Sequence, residues 1–295
     1  MTSASIAALR EEFREVGVVR IRAGLDHESM RMAKGAYDWS LTHPSAAATT
    51  FSQKTAGKFY QDLANPLAFP AYRQLLEQSP LADLAAALWG ASDVWFMYEQ
   101  VFLKEGGAAR RTPWHQDSSY LPVAGENLMV MWISFDPVSK PNALEFVRGS
   151  HRGVVYNGSA FDPEDDTAPL YATGTMPRLP NIEADRARWD IVSWSTEAGD
   201  VVCFHPAMLH GGGPTRLGLR RRTLSLRFFG PDAAFSPRPG RAEVPGHRVG
   251  KEGAQQAAHE ESPPEGGGPV FARLSQTLSP GDPFRHPGFP RVRPR

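Results

Sequence analysis

The chain has 295 residues, with 32 Lys plus Arg, 32 Asp plus Glu and a hydrophobic fraction of 41%. A net charge of zero disfavours a nucleic-acid-binding protein, which carries a basic excess, and a single cysteine excludes an internal disulfide. The longest apolar runs, such as residues 128–133, are far too short to cross a bilayer, and the first residues lack the pattern of a secretory signal. We therefore expect a cytoplasmic protein that acts on neither nucleic acid nor membrane.

The N-terminal part, residues 1–92, is predicted to be mostly helical. In Ser3–Val16 the apolar side chains recur at helical spacing among charged ones, and a glycine follows. The β-branched run Val18–Ile21 predicts a short strand, and Asp26 is placed to cap a second helix. The Leu- and Ala-rich residues 66–89 predict one or two more helices. These apolar stripes indicate packing against a core.

Beyond residue 92 the pattern changes to β-branched and aromatic runs, which Pro and Gly separate. The predicted strands are residues 94–104, 128–135, 144–147, 200–204 and 223–229. Short strands separated by turns favour a β-sandwich or barrel over a parallel sheet with crossover helices. We expect the strands of this core to lie within residues 93–230.

Two further segments do not fit the strand pattern. Residues 157–190 are polar, contain Pro and are too long for a tight turn, so we expect either a functional lid or a disordered insertion. Residues 231–295 form a tail rich in Pro and Gly, with a low-complexity stretch at 253–269. Apolar side chains beyond that stretch are candidates to dock back onto the body: Phe271, Leu274, Leu278 and Phe284. We predict that residues 1–295 form a single domain.

The first chemical signal is Trp114-His115-Gln116-Asp117. In an extended segment, residues i and i+2 point to the same face, so His115 and Asp117 would offer one nitrogen and one oxygen from a single patch. A histidine on a facing strand would complete a two-His, one-carboxylate set for non-haem Fe(II), which leaves three adjacent coordination positions open. A His-x-Asp pair alone occurs by chance in many proteins, so the second histidine decides its meaning.

That second histidine is sought after the apolar run at residues 201–204. His210 opens a Gly-rich stretch, and glycines beside a ligand let the backbone and a cosubstrate approach closely. His205 is a competing candidate, because it ends the apolar run directly before a proline. The local pattern favours His210 and leaves His205 open.

Three consecutive arginines, Arg220, Arg221 and Arg222, lead into the strand predicted at residues 223–229. A guanidinium pairs bidentately with a carboxylate, which suits the distal end of a dicarboxylate cosubstrate. Strand alternation places Arg220 and Arg222 on one face and Arg221 on the other, so the register of a carboxylate-binding arginine stays open. A solvated basic turn is the alternative interpretation.

Together these motifs resemble the phytanoyl-CoA dioxygenase family of Fe(II)/2-oxoglutarate-dependent oxygenases. The order is His-x-Asp, then a Gly-rich His, then Arg eleven residues beyond it. Lys104-Glu-Gly-Gly followed by Thr112-Pro-Trp-His-Gln-Asp is similar to the family's Lys-x-x-Gly and Trp-His-Gln-Asp. Asn142-Ala-Leu-Glu-Phe-Val-Arg-Gly-Ser-His resembles its Gly-x-Leu-x-Phe-Val-Pro-Gly-Ser-His segment. The resemblance covers residues 7–230.

The resemblance implies a mainly β fold with helices, in which N-terminal helices wrap a double-stranded β-helix, the cupin-like jelly roll. It implies three metal ligands: His115, Asp117 and His210. It also implies that Arg221 binds the 5-carboxylate of 2-oxoglutarate, that Trp132 lines the cosubstrate pocket, and that Gln100 is a candidate for a polar contact there. The implied enzyme uses Fe(II), 2-oxoglutarate and O2 to hydroxylate an unactivated C–H bond of a small-molecule substrate, with release of succinate.

The chain departs from the family pattern at several positions. Gly212 stands where the family often has Ser, Thr215 where it often has Asn, and Arg148 where Pro is usual. The first two departures concern polar contacts near the cosubstrate and leave the metal ligands unaffected. Asp117 separates the chain from related halogenases, which carry Gly or Ala in place of the carboxylate.

Two other functions fit parts of the pattern. A cupin-like protein could hold a metal or ligand without catalysis, and a non-haem metalloenzyme could work without 2-oxoglutarate. The family acts on acyl-CoA, amino-acid derivatives and secondary metabolites, so the resemblance does not select the substrate.

Overall fold

The computed structural model describes residues 3–53, 57–105, 111–162, 164–172, 174–215, 218–239, 271 and 274–294. The helices are α1 (Ser3–Val16), α2 (His27–Thr42), α3 (Phe69–Gln78), α4 (Leu81–Trp89) and α5 (Leu274–Thr277). The first strands are β1 (Val18–Ile21), β2 (Thr49–Gln53), β3 (Gly57–Leu63), β4 (Val94–Glu105), β5 (Thr112–His115), β6 (Val123–Ala124) and β7 (Leu128–Ser134). The later strands are β8 (Leu144–Val147), β9 (Ile191–Ser193), β10 (Val201–Phe204), β11 (His210–Gly212), β12 (Arg220–Phe229), β13 (Ala234–Phe235) and β14 (Arg291–Arg293).

The strands form two principal antiparallel sheets. The main sheet has eight strands in the order β1-β10-β7-β12-β4-β3-β2, and β14 pairs with β4. The minor sheet has four strands in the order β5-β11-β8-β9. The sheets pack face to face, as the rings of Phe146 on β8 and Phe204 on β10 show with centroids 5.0 Å apart. The two sheets do not close into one continuous barrel, and this arrangement confirms the predicted jelly-roll class.

The helices cover the outer face of the main sheet. Side chains at alternate positions of β7 and β12 share a core with the helices: Met129, Met131, Ile133, Leu224, Leu226, Phe228, Tyr37, Tyr72, Leu75 and Leu81. Because side chains alternate along a strand, Trp132 on β7 and Arg221 and Arg227 on β12 lie on the opposite, inner face. The inner face looks toward the minor sheet and therefore carries the candidate site.

The sequence predicted most elements of the N-terminal part but missed a hairpin. Helix α2 begins where expected, since the Asp26 carboxylate accepts a hydrogen bond of 2.8 Å from the Ser29 N–H. Residues 1–92, expected to be mostly helical, also contain strands β2 and β3, and β3 pairs with β4 from Lys58 opposite Glu105 to Leu63 opposite Gln100. The hairpin was missed because it depends on a long-range contact. It forms by pairing with the edge of the twelve-residue β4, and no local sequence pattern in residues 49–63 shows that this edge is available.

The C-terminal residues dock onto the body as predicted. Phe271, Leu274 and Phe284 are fully buried in a second core, and Leu278 packs against it. Strand β14, which the sequence did not predict, adds to β4 opposite Trp95. The low-complexity stretch at 253–269 lies outside the described residues. Within the described part of the chain, the helices are all too short or too polar to cross a membrane.

Candidate metal centre

Strands β5 and β11 of the minor sheet bring two histidines together. His115 ends β5 and is the direct antiparallel partner of His210, which begins β11, and their ring centroids are 4.2 Å apart. Asp117 begins the turn Asp117–Ser119 that follows the extended residue Gln116, so its side chain points to the same side as His115. The expected Gly-rich loop after His210 is instead a short strand, and a Cβ atom at Gly213 would lie only 2.4 Å from the Pro141 carbonyl oxygen.

The donor atoms of these three residues converge. Asp117 Oδ1 lies 3.6 Å from His115 Nε2 and 3.9 Å from His210 Nε2, and one ligand atom from each residue falls within 4.8 Å of the others. His115 Nδ1 donates to the Pro113 carbonyl at 2.8 Å, and His210 Nδ1 donates to the Met208 carbonyl at 3.0 Å. Because a carbonyl only accepts, each Nδ1 carries a proton, and each Nε2 is the nitrogen that lies toward the Asp117 carboxylate.

The charges around the cluster also fit a divalent cation. Burial alone would raise the pKa of Asp117, but the Arg227 guanidinium and the two imidazoles outweigh it and hold that pKa well below its ordinary value. Burial lowers the pKa of His210 to about 4. Near neutral pH the site therefore presents an ionised carboxylate and a neutral His210 imidazole, the protonation states in which these side chains bind Fe(II).

Arg227 is the residue of this site that the sequence reasoning missed. Its Nη2 donates to Asp117 Oδ2 at 2.9 Å, so that oxygen is occupied while Oδ1 faces the histidines. The same Nη2 donates to Gln100 Oε1 at 2.7 Å, and the guanidinium lies 4.6 Å from the centre of the Tyr98 ring. Gln100, predicted as a cosubstrate contact, therefore touches the arginine that holds the carboxylate. A signal was present in the sequence, since Arg227 is the one charged residue in the strand predicted at residues 223–229.

His205, the competing histidine, lies outside the cluster. Its Nε2 bonds to the Gly125 carbonyl at 3.1 Å, and its Nδ1 accepts a hydrogen bond from the Ala207 N–H at 3.1 Å. Burial lowers its pKa to about 4, which keeps it neutral. Both ring nitrogens serve the local backbone, so the structure groups His210, and not His205, with His115 and Asp117.

The three consecutive arginines have different surroundings. Arg220 pairs with Glu105 at 2.8 Å on the exposed side, and Arg222 forms two hydrogen bonds with the Asp136 carboxylate at 2.6 and 3.1 Å. Arg221 points to the inner face and donates from Nη1 to the Asn142 carbonyl at 2.6 Å. Burial lowers the pKa of Arg221 to about 10, still far above neutral pH. Among these arginines, Arg221 alone has no carboxylate partner in the described part of the chain.

Trp132 lies on the inner face between the metal cluster and Arg221. It is buried, and on β12 its direct partner is Ser225, two positions from Arg227 and four from Arg221. It shares a core with Phe146 and Phe204, whose rings lie 5.9 and 4.8 Å from the His210 ring. Trp132 therefore lies beside the aromatic neighbours of His210 and on the face that carries Arg221, and its role in lining a cosubstrate pocket stays a prediction.

The insertion at residues 157–190 packs over this cluster. The Phe161 ring lies 5.4 Å from the His115 ring and 6.2 Å from the Tyr120 ring. Phe161 has a φ of +54°, in the left-handed region that a phenylalanine rarely adopts. Tyr120 fixes this part of the insertion, because its hydroxyl accepts from the Ser159 N–H at 2.8 Å.

A ring of ion pairs fastens the far end of the insertion to the minor sheet. Arg111 contacts Glu145 and Glu183 at 2.9 and 2.8 Å, and Arg186 contacts the same carboxylates at 2.5 and 2.7 Å. Trp114, next to His115, donates from its indole nitrogen to Glu183 at 2.6 Å. The insertion is thus ordered against the strand that carries His115, with an aromatic residue over the histidine.

Comparison with known proteins agrees with this geometry. A model of the phytanoyl-CoA dioxygenase family matches residues 2–223. A probable alpha-ketoglutarate-dependent hypophosphite dioxygenase from Stutzerimonas stutzeri is 26% identical over 185 residues, which are 60% of this chain and 59% of that protein. The chain therefore spans less than two thirds of the length of this curated relative.

Solved structures share the fold at low sequence identity. The non-heme alpha ketoglutarate dependent epimerase SnoN from nogalamycin biosynthesis superposes with a TM-score of 0.65 at 20% identity, covering 99% of this chain and 100% of that chain. The carbocyclase SnoK from the same biosynthesis gives a TM-score of 0.67 at 19% identity, covering 99% and 98%. These TM-scores establish a common fold. Since the family model matches well over half of the chain, the protein belongs to the phytanoyl-CoA dioxygenase family.

Proposed function

We propose that this protein is an Fe(II)- and 2-oxoglutarate-dependent dioxygenase that hydroxylates an unactivated C–H bond of a small-molecule substrate. The observation that carries the proposal is the convergence of His115, Asp117 and His210, with each Nδ1 and Asp117 Oδ2 already bonded to the protein. Fe(II) bound there, with 2-oxoglutarate and O2, supplies the oxidation, and the co-products are succinate and carbon dioxide.

The chain's own residues provide binding, orientation and exclusion of water. Asp117 offers one oxygen to the metal because Arg227 holds the other. Arg221 is the proposed partner of the 2-oxoglutarate 5-carboxylate, since it is the inward-facing arginine of the three and lacks a carboxylate partner among the described residues. Trp132 would line the path between the two, and Gln100 would orient Arg227.

The insertion at residues 157–190 is the proposed lid of the substrate site. Phe161 already lies against His115, and Ser159 is tied to Tyr120, so the segment is placed to close over a bound substrate. Hydrogen exchange with and without substrate measures this role, and protection that stays unchanged throughout the segment would contradict it.

We further propose that residues 1–295 act as one oxygenase domain. Helices α2 to α4 pack on the same sheet whose inner face carries Trp132, Arg221 and Arg227, and the C-terminal Phe271 packs edge-on against Tyr98 beneath Arg227. Removing the helices would therefore expose the outer face of this sheet, and removing the C-terminal residues would expose Tyr98 beside Arg227. The cytoplasmic location stays a prediction from the sequence.

The decisive experiment is an anaerobic titration with Fe(II) and then 2-oxoglutarate, followed by a pulse of oxygen. Succinate release after the pulse supports the dioxygenase. Binding of both ligands without succinate favours a non-catalytic metal- or ligand-binding protein. Binding of Fe(II) without the weak metal-to-ligand absorption band on addition of 2-oxoglutarate favours a metalloenzyme that does not use this cosubstrate.

The reaction type needs a separate measurement, because 2-oxoglutarate turnover alone does not distinguish oxidations. A screen of metabolites for stimulated succinate release identifies the substrate, and mass spectrometry of the product then tests hydroxylation. Addition of one oxygen atom, labelled from ¹⁸O2, supports the hydroxylase. A product of unchanged mass, or one that has only lost hydrogen, would contradict hydroxylation while leaving the cosubstrate assignment intact.

A further inference from the structure

Two cations lie side by side on the inner face of the main sheet. Lys104 on β4 and Arg221 on β12 are direct antiparallel partners, and Lys104 is only 7% exposed. Neither has a carboxylate within ion-pair distance among the described residues. By contrast, the neighbouring Glu105 and Arg220 pair with each other at 2.8 Å. The structure thus buries two adjacent basic side chains, and no anion accompanies either of them among the described residues.

Such an arrangement is unfavourable in the absence of a ligand. Burying a charged group is costly unless a counter-charge or hydrogen bonds compensate, and a second like charge adds repulsion. Burial, and then the nearby Arg221, lower the pKa of Lys104 to about 7. The main compensating contact of Lys104 is the Phe59 ring on β3, whose centre lies 4.8 Å from Nζ. A lysine held this way gains most from an anion placed beside it.

Unsatisfied polar atoms lie near Arg221, the partner of Lys104. Asn142 Nδ2 and Thr215 Oγ1 are buried, and neither has a hydrogen-bond partner within the described part of the chain. Both residues and Arg221 line one cavity of about 400 Å³. Asn142 also accepts the Arg221 hydrogen bond through its carbonyl. Arg221, Asn142 and Thr215 therefore offer three kinds of donor to one space, which Glu197 also lines and Lys104 does not.

We infer that Lys104 is a second anchor for the distal carboxylate of 2-oxoglutarate, and that cosubstrate binding transfers one proton from solvent to its amine. This inference rests on the proposed function, because Arg221 must first be the anchor for the same carboxylate. Lys104 lies directly opposite Arg221 on β12 and Phe59 on β3. The next residue of β4, Glu105, pairs with Arg220 on β12.

Calorimetry of 2-oxoglutarate binding tests the proton transfer. The metal-loaded protein is titrated anaerobically at pH 8 in two buffers of different ionisation enthalpy, because the difference in apparent enthalpy measures the protons taken up. Wild type should take up a substantial fraction of a proton per 2-oxoglutarate bound, since burial and Arg221 lower the pKa of Lys104 to about 7 and a carboxylate beside the amine would raise that pKa. Below about pH 6 the uptake should vanish, because Lys104 is already charged.

Two substitutions of Lys104 distinguish the effect of its positive charge on binding from the uptake of a proton by its amine. Lys104→Met should weaken 2-oxoglutarate binding by roughly ten- to a hundred-fold, the effect of losing one charge-assisted contact, and should abolish the proton uptake. Lys104→Arg should retain most of the affinity but also lose the uptake, because arginine stays charged. Lys34→Met, an exposed lysine on α2 that pairs with Asp38, is the matched control and should bind and titrate like wild type. Metal affinity should be equal in all four proteins, which also verifies their folding.

The contrary outcomes are distinct. Proton uptake that persists in Lys104→Arg, or wild-type affinity in Lys104→Met, would overturn the inference about Lys104. If Arg221→Ala weakens binding while Lys104→Met does not, the cosubstrate assignment stands and only the second anchor is wrong. If the metal-loaded wild type binds no 2-oxoglutarate, the proposed function and this inference fail together.

Discussion

The two ends of the inner face differ in how completely the protein satisfies its own polar groups. At the metal end, His115, His210 and Asp117 each have one side-chain atom fixed by a protein partner and one atom left pointing at a common centre. At the other end, Arg221 and Lys104 are adjacent cations without an anion among the described residues. The donors of the first end are oriented without a ligand, whereas the second end would be completed by the carboxylate proposed to bind there.

This difference predicts the order and character of binding. A metal can enter a site whose donors are already oriented, so its affinity should depend little on the cosubstrate pocket. The anion contributes more than contact, since it neutralises charges that destabilise the free protein. Variants at the metal end should therefore change the affinity for the metal, and variants at the other end should change the affinity for 2-oxoglutarate.

The largest expected effect comes from removing a metal ligand. Asp117→Ala should abolish Fe(II) binding and all succinate formation, because it deletes the one anionic ligand of three and also leaves Arg227 without its carboxylate. Metal titration and succinate release measure both effects. His205→Ala is the control, since its ring nitrogens bond only to Gly125 and Ala207, and it should bind the metal normally despite some loss of stability. Native iron content in Asp117→Ala would disprove the triad.

The next effect is at the cosubstrate end. Arg221→Ala should weaken 2-oxoglutarate binding by about ten- to a hundred-fold, the loss of a charge-assisted pair, while metal affinity hardly changes. Arg221→Lys should also be impaired, since a point charge cannot reproduce the planar fork. The measurement is the apparent Michaelis constant for 2-oxoglutarate together with direct binding.

Arg222 and Arg220 test whether Arg221 is the correct one of the three consecutive arginines. Arg222→Ala should lower thermal stability slightly, because it breaks the half-buried pair with Asp136, and should leave 2-oxoglutarate binding unchanged. Arg220→Ala should change neither property. If Arg222→Ala raises the Michaelis constant for 2-oxoglutarate and Arg221→Ala does not, then Arg222, and not Arg221, binds the 5-carboxylate.

A smaller effect is expected for Arg227, which acts through Asp117. Arg227→Met should lower metal affinity by about tenfold, at the lower end of the range for residues that orient metal ligands, because Asp117 is then free to rotate or bind through both oxygens. The electronic spectrum of Co(II) bound at the site should also change, a signature that loss of packing alone would not produce. An unchanged spectrum with unchanged affinity would show that Arg227 only fills space.

The sequence predicted the parts of this molecule that local pattern encodes. Two spacings in the sequence predicted the site. His115 and Asp117 are two residues apart, which places both side chains on one face of an extended segment. Arg221 follows His210 by eleven residues, a spacing that the family resemblance links to the cosubstrate. Arg227 and Lys104 were missed because their partners, Asp117 and Arg221, lie more than one hundred residues away along the chain. The hairpin of β2 and β3 was missed for a related reason, since its pairing edge is β4.

The smallest expected effect concerns the insertion, which belongs to neither end but covers the metal end. Phe161→Ala should leave metal and 2-oxoglutarate affinities close to wild type, because the ring contacts His115 without bonding to it. It should raise succinate formation in the absence of substrate severalfold, since water and oxygen reach the centre more freely when the covering ring is lost. Val154→Ala, at a residue 50% exposed just before the insertion, is the matched control and should not change this background rate. If Phe161→Ala instead weakens metal binding as much as Arg227→Met does, the Phe161 ring holds His115 in place. The geometry of the metal end would then depend on the insertion that covers it.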